Sequence, residues 1–435
     1  LTEQIAILEA RIEELEKPTQ LRTTLPCLNL SDHHLGNSSG RTGSTVTHPS
    51  PSLCSALKFR SVHNFLHHGS QFGFFLHIQN FREAAMGHHG HGLAAGLLDV
   101  VYLWAVHLSG SEDFAAHEPN YLSRALRMAA DALSGTHYNT VLHAIQAEVL
   151  LSHYFLRNTR FLEGKYHLSA AVSLVVSSGL HRIRSADVYA IRGPLGPAFH
   201  SLSQPGNTVE ECERINAFWT VLTLNNCWTT ADGSPSNISY TMPDARIDTP
   251  WPLDMTATDL QALPDSSIGT VTKFLANVPD GVMSEAALHA KAAILFQQAS
   301  RLASHYCPNI MNNEELNQFY HSFKSIDTLI EGFKLCIPMI QPHSTREMLV
   351  VHSLVHVATI QLHNPFVVEI DTSRLRVLGS ARAIMANLVQ AAVNEFVYID
   401  PIMGVRRPMC TQFLSLTAMN SITDFVDGHL PSIHN

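Results

Sequence analysis

The chain has 435 residues, of which 45% are hydrophobic and 15% are charged, and this composition excludes a protein that is disordered overall. Its 28 Lys and Arg residues against 37 Asp and Glu residues give a net charge of −9, which opposes strong binding to a polyphosphate. The seven cysteines contain no CxxC pair. Neither a disulfide framework nor a zinc ribbon is indicated, so we expect reduced, buried thiols.

The first seventeen residues predict the end of a coiled coil. Arg11 at position g and Glu16 at the following e of a partner helix are placed for an interchain ion pair, and Pro18 stops the helix. A single amphipathic surface helix is the alternative, because fewer than three heptads are present. Since Leu1 stands where a complete chain carries methionine, we expect further heptads upstream. The dimerisation seam has isoleucine at a and leucine at d, which favours a parallel two-stranded coil: Leu1, Ile5, Leu8, Ile12 and Leu15.

Residues 18–58 are rich in Ser, Thr, Gly, Asn and Pro and predict a flexible, disordered linker. A GxSxG sequence around Ser38 matches the nucleophile elbow of hydrolases. That motif needs a strand before it and a helix after it, whereas both flanks here are polar, so we do not interpret Ser38 as catalytic.

After the linker the pattern predicts an all-α, irregular multi-helix domain. We expect a first helical cluster over 59–233, a Pro/Asp/Thr-rich connection over 234–280 and a second cluster over 281–435. Capping-box spacing at Thr208, Asn312 and Ser344 predicts three helix starts. Asp99 and His107 interrupt the longest apolar stretch, residues 92–110, so we interpret it as a buried helix and not as a membrane span.

Three passages predict particular local structures. The first (144–182) predicts a helical hairpin that turns near 158–160 and ends on a left-handed glycine, with the next apolar residue folded back and two basic residues complementing the last carbonyls. The residues that define this passage are Gln146, Leu150, Tyr154, Gly164, Gly179, Leu180, His181 and Arg182.

The second passage (213–252) predicts a helix in which Arg214 pairs with Glu210 one turn earlier. Phe218 and Trp219 are expected to point into the core. Gly233 and Pro235 end this helix. The third passage (362–366) predicts a turn at the end of a long helix, with Pro365 and Phe366 as its characteristic residues.

In this order and spacing, the three passages resemble the fungal-specific transcription factor domain, the middle homology or regulatory region of fungal binuclear zinc-cluster transcription factors. The resemblance spans roughly residues 72–400. It implies a nuclear, homodimeric regulator of RNA polymerase II transcription, whose DNA contacts come from a six-cysteine zinc cluster just before the coiled coil. It also implies that the helical domain regulates that event through a small-molecule effector, a coactivator or a corepressor.

No cysteine here matches the tightly spaced pattern of that cluster, so no zinc ligand, DNA-contacting residue or catalytic residue is assigned within this chain. A non-DNA-binding helical scaffold or cofactor protein is the first alternative. A His-rich metal-dependent enzyme is the second, because His352 and His356 have the spacing of an HExxH zinc site. Ser353 stands where that motif has its glutamate, so the general base is missing.

Overall fold

The structure, a computed structural model, describes residues 61–87, 93, 95–110, 115–130, 140–187, 192–193, 196–197, 202–240, 246–255, 263–391 and 402. The predicted coiled coil, nearly all of the linker and the sequence around Ser38 lie outside the described residues. The described residues form an all-α fold, as predicted.

The first helical cluster begins with helical residues 62–68 and a 3-10 turn, Gly69–Phe72. Its α-helices are α1 (Ile78–Ala85), α2 (Ala95–His107), α3 (Glu118–Ala130), α4 (Thr140–Arg157), α5 (Phe161–Ser177) and α6 (Thr208–Asp232). A 3-10 turn, Leu180–Arg182, follows α5, and a two-residue antiparallel pair joins β1 (Arg192–Gly193) to β2 (Gly196–Pro197).

The later helices are α7 (Thr270–Leu275), α8 (Glu285–Ser304), α9 (Asn313–Cys336), α10 (Arg346–His363) and α11 (Asp371–Gln390). A 3-10 turn, Asn364–Phe366, separates α10 from α11. In the first cluster α2 packs on α3, and α4 on both α5 and α2. In the second, α10 packs on α8 and α11, and α8 also packs on α6.

Of the three predicted capping boxes, one is confirmed and two are misplaced by one residue. The box at Asn312 is confirmed, because its side chain accepts from Glu315 N at 2.9 Å and Glu315 accepts from Asn312 N at 3.0 Å. Helix α6 is instead capped by Asn207, a stronger cap than the threonine after it. Helix α10 is capped by Thr345, because the Ser344 hydroxyl accepts a hydrogen bond in the preceding turn.

The apolar stretch 92–110 contains a buried helix, α2, as predicted. Asp99 is 5% exposed and pairs with Arg124 at 2.7 Å, while Nδ1 of His107 lies 2.7 Å from Oε1 of Glu118. The polar interruptions therefore have partners on α3. Among the described residues, no helix has the length and hydropathy needed to cross a membrane.

The two predicted clusters share one continuous hydrophobic core. Residues from the Pro/Asp/Thr-rich connection contribute to it, because Tyr240, Trp251 and Phe274 are each buried. Trp251 stacks on Trp219 of α6 with ring centroids 4.4 Å apart. The connection therefore packs between the clusters, which its composition did not indicate.

The expectation of buried thiols is half right among the described cysteines. Cys212 and Cys227 on α6 are buried, whereas Cys307 and Cys336 are exposed. The two exposed cysteines lie beyond the end of α8 and at the last residue of α9, where the chain leaves the core.

Candidate functional site

A cavity of about 690 Å³ lies where the two helical clusters meet. Its walls come from residues 70–79, from α6, from residues 252–255 and from the first turns of α8 and α10. Sites for small organic molecules have volumes in this range and combine apolar walls with a few polar groups. This cavity is therefore the candidate functional site.

One wall is held in place by Gln146 of the first passage, which is fully buried on α4. Its Oε1 accepts from Phe75 N at 2.7 Å, and its Nε2 donates to the carbonyl of Gly73 at 3.0 Å. Gly73 has a φ of 72°, and an added Cβ would lie 3.0 Å from the side chains of both Thr220 and Val149. Residues 73–75 therefore need both the amide of Gln146 and the absence of a side chain at Gly73.

The aromatic wall is formed on α6. Trp219 is 1% exposed, and its indole Nε1 donates to the carbonyl of Pro250 at 2.5 Å. Trp228, about two and a half turns further along α6, also lines the cavity and is buried. The second passage supplies both tryptophans, and it also supplies Pro250 and Trp251, which contact Trp219. The core role predicted for Trp219 is therefore confirmed, and Trp219 also lines the cavity.

The charged end of the cavity lies at the N-termini of α8 and α10. The Thr345 hydroxyl donates to Glu285, and the guanidinium of Arg346 donates to Gln71. Glu347 also lines this end, and its Oε1 is buried with no hydrogen-bond partner. Burial raises the pKa of Glu285, and the charges of Glu347 and Asp254 raise it further. This end therefore carries several carboxylates close enough to repel one another.

Two of the histidines that line the cavity lie on helices, His153 on α4 and His289 on α8. His153 is 6% exposed, and burial together with the neighbouring His289 lowers its pKa to about 4. The imidazole of His153 is therefore neutral at physiological pH. It presents a polar but uncharged surface to the cavity.

The first and second passages also join away from the cavity. Gly179 has a φ of 75°, as predicted for a left-handed cap, and Leu180 is 2% exposed. The carbonyl of Leu180 accepts from the Thr249 hydroxyl at 2.6 Å, and the carbonyl of His181 accepts from Asp248 N at 3.0 Å. The turn that ends the first passage is thus tied to the last segment of the second.

The cationic role predicted for His181 is wrong. Burial is the largest cause that lowers its pKa, to about 4, and the nearby Arg182 lowers it further. A neutral imidazole does not complement helix carbonyls as a charge, and Nδ1 of His181 is buried with no hydrogen-bond partner. The positive charge near this turn therefore belongs to Arg182.

The remaining residues of the first passage pack the hairpin and its neighbours. Gly164 allows α4 and α5 to approach, because an added Cβ would lie 2.6 Å from Leu156. The carbonyl of Leu150 accepts from Trp104 Nε1 at 3.0 Å, and the Tyr154 hydroxyl donates to Glu118 at 2.7 Å. These residues stabilise the packing of α4, the helix that carries Gln146, against its neighbours.

In the second passage, Arg214 donates to Glu210 at 2.5 Å, which confirms the predicted pair, and it also donates to the carbonyl of Ser203 at 2.6 Å. Phe218 is fully buried, and Gly233 ends α6 with a φ of 75°. Pro235 follows two residues later, outside the helix.

The third passage forms the predicted turn at the end of α10. Pro365 lies within the 3-10 turn Asn364–Phe366. Phe366 is 2% exposed and contacts the rings of Tyr306, Phe319 and Phe323. This turn lies apart from the cavity lining and acts in packing.

The histidine spacing on α10 does not form a metal site. His352 Nε2 lies 2.7 Å from the carbonyl of Pro338, and burial lowers the pKa of His356 to about 4. In the part of the chain that the structure describes, no three His, Cys, Asp or Glu side chains converge as metal ligands. The described residues therefore offer no set of ligands for zinc. Neighbouring histidines also occur at 33–34 and 88–91, and these lie outside the described residues.

Sequence reasoning missed the residues at the charged end of the cavity. The sequence places Glu347 only in the capping-box spacing with Ser344, and no motif marks Glu285, Gln71 or His153. A carboxylate in the first turn of a helix is the signal that Glu285 and Glu347 share, but this pattern is common and marks no site by itself.

Comparison with known proteins found no matching family profile, no similar curated protein and no similar solved structure. The family resemblance of the three passages therefore stays a prediction.

Proposed function

We propose that the chain is the effector-binding regulatory region of a zinc-dependent, sequence-specific transcription factor that controls RNA polymerase II transcription in the nucleus. The observation that carries the proposal is that two of the three passages build the walls of the cavity. Gln146 of the first passage fixes residues 73–75, and Trp219 of the second lines the adjoining wall. In this proposal the chain acts by binding an effector and does not catalyse a reaction.

The position of the cavity gives a route from ligand to regulation. A ligand there contacts α6 of the first cluster and the first turns of α8 and α10 of the second. Its affinity depends on how these helices are arranged, so its binding favours one arrangement over others. A surface that changes with this arrangement would then recruit or release a coactivator or corepressor.

DNA binding belongs, in this proposal, to a zinc cluster encoded upstream of Leu1, and dimerisation to residues 1–17. The net charge of −9 agrees with DNA contacts made by another module. The coding sequence upstream of Leu1 tests this directly. Six closely spaced cysteines among lysines and arginines, in frame with further heptads, are expected. A complete reading frame without them overturns the DNA-binding role and favours the helical cofactor.

A tethering experiment tests regulation separately. The full chain is fused to a heterologous DNA-binding domain upstream of a reporter gene, and reporter transcription is measured against the DNA-binding domain alone. We expect a change in transcription that Ala286→Trp, at the exposed rim of the cavity, alters. Ala276→Trp is the matched control, because Ala276 is exposed but lies outside the cavity lining. A fusion that leaves the reporter unchanged contradicts the proposal.

A further inference from the structure

We infer that the cavity binds an amphipathic organic cation, whose amine lies between Glu285 and Glu347 and whose apolar body packs against Trp219 and Trp228. The inference names the class of effector and therefore rests on the proposed role of the cavity. Four observations support it, and they concern the charge of the lining, one unpartnered oxygen, the aromatic wall and the access to solvent.

The charge of the lining favours a cation. Among the residues that the structure describes, three carboxylates line the cavity, from Asp254, Glu285 and Glu347, and the guanidinium of Arg346 is the one arginine group there. Arg346 donates to Gln71 and so has a partner on the opposite wall. His153 adds no charge to these groups, so the acidic and basic side chains leave an excess of negative charge. Because the cavity is partly apolar, this charge is less screened than it would be on an open surface.

The hydrogen bonding at the charged end is incomplete. Glu285 accepts from the Thr345 hydroxyl, whereas the buried Oε1 of Glu347 has no partner. A buried acceptor without a donor is destabilising. An ammonium group has three donors and a positive charge, so it supplies the missing bond to Glu347 and relieves the repulsion that raises the pKa of Glu285.

A purely structural role for these glutamates explains less. Each lies in the first turn of a helix, where the positive end of the helix dipole stabilises a carboxylate. Glu314 holds the same second position in α9 that Glu347 holds in α10, yet Glu314 is exposed to solvent. The dipole accounts for all three acidic residues, but it does not account for the buried oxygen of Glu347, a residue of the cavity lining, that lacks a donor.

The rest of the cavity fits an apolar body with an amine at one end. Trp219 and Trp228 present buried aromatic surface, which favours both apolar groups and cations. At the charged end Asp254, Ala286 and Thr345 are exposed, so this end reaches solvent. An entering ligand can therefore bury its apolar body while its amine stays at the partly hydrated end.

Three adamantyl compounds with the same body and different charge test the inference: 1-adamantylmethylamine, 1-adamantylmethanol and 1-adamantanecarboxylate. Their binding to the full 435-residue chain is measured by isothermal titration calorimetry at pH 7.5. We expect the amine to bind at least ~10-fold more tightly than the alcohol, which corresponds to about 1.4 kcal/mol, and the carboxylate to bind most weakly. The Ala286→Trp change should weaken all three compounds, because it obstructs the shared cavity.

The double change Glu285→Gln with Glu347→Gln should bring the amine to within ~3-fold of the alcohol, because the negative charge that favours the amine is removed. Glu314→Gln is the matched control and should leave the ~10-fold preference intact. If the double variant loses its circular dichroism spectrum, Glu347→Gln alone is used. Equal affinity for the amine and the alcohol, or tightest binding of the carboxylate, overturns the cation assignment. No binding of any compound overturns the ligand site itself, and the reporter and upstream-cysteine results then still decide the transcriptional role.

Discussion

Replacing Gln146 with leucine should destabilise the protein, although the two side chains are similar in size. The change leaves Phe75 N, which is buried, without an acceptor and the carbonyl of Gly73 without its amide donor. An unsatisfied buried polar group costs about 1–3 kcal/mol. The Gly73 carbonyl lies beside the cavity, where water can donate to it. Losing the donor to this carbonyl therefore costs less than losing the acceptor for Phe75 N. We expect the free energy of unfolding to fall by about 2–4 kcal/mol in total.

Urea denaturation at 25 °C, followed by far-UV circular dichroism, measures this change as a lower midpoint at an unchanged slope. Gln79→Leu is the control, because Gln79 lies on the same wall but is exposed and bonds only to exposed side chains. That control should stay within about 0.5 kcal/mol of the parent protein. A Gln146→Leu protein with the parental midpoint would refute the claim that this amide fixes residues 73–75.

Three further changes test other parts of the chain. Trp219→Ala should lower the free energy of unfolding by ~3–5 kcal/mol, while Tyr166→Ala, at a 70% exposed site, should have little effect on the same urea midpoint. Ile5→Lys with Ile12→Lys, in a protein that includes the upstream heptads, should give monomers by sedimentation, and a surviving dimer would place the interface elsewhere. Burial raises the pKa of Glu213 from 4.5 to about 7, so the carboxyl stabilises the fold below pH 4.5 and this contribution is lost as pH rises through 7. Glu213→Gln should therefore gain up to about 3 kcal/mol relative to the parent between pH 4.5 and 8, and a pH-independent difference would contradict the raised pKa.

Local structure was predictable where a few neighbouring residues determine it. Gly179 and Gly233 have the positive φ that a left-handed cap requires, and the capping box at Asn312 needs only a side chain three residues away. The helix starts at Thr208 and Ser344 were each wrong by one residue. Helix α6 is capped by Asn207, one residue before the predicted position, and α10 by Thr345, one residue after it, because the Ser344 hydroxyl accepts from Gln341 N instead.

The cavity was not predictable because its contacts join distant segments. The bond from Arg346 to Gln71 spans 275 residues, and the bond from Phe75 to Gln146 spans 71. Helical periodicity indicates which face of a helix is apolar, but it does not indicate which other helix covers that face. The burial of Trp251 was missed for the same reason, since a Pro/Asp/Thr-rich composition resembles a linker until its partner, Trp219, is known.

One side chain at the charged end of the cavity, Arg346, also links the two helical clusters through its bond to Gln71. The bonds from Thr345 to Glu285 and from Arg346 to Gln71 join α10 to α8 and to the residues before α1, and both bonds lie at the charged end. An amine bound between Glu285 and Glu347 would compete with the Thr345 hydroxyl for Glu285 and would draw Glu347 towards it. The first turn of α10 would then shift relative to α8, whereas residues 73–75 would stay fixed by the fully buried Gln146. The amine is therefore the part of the ligand that can change how the helices are arranged. The apolar body contributes affinity without changing that arrangement.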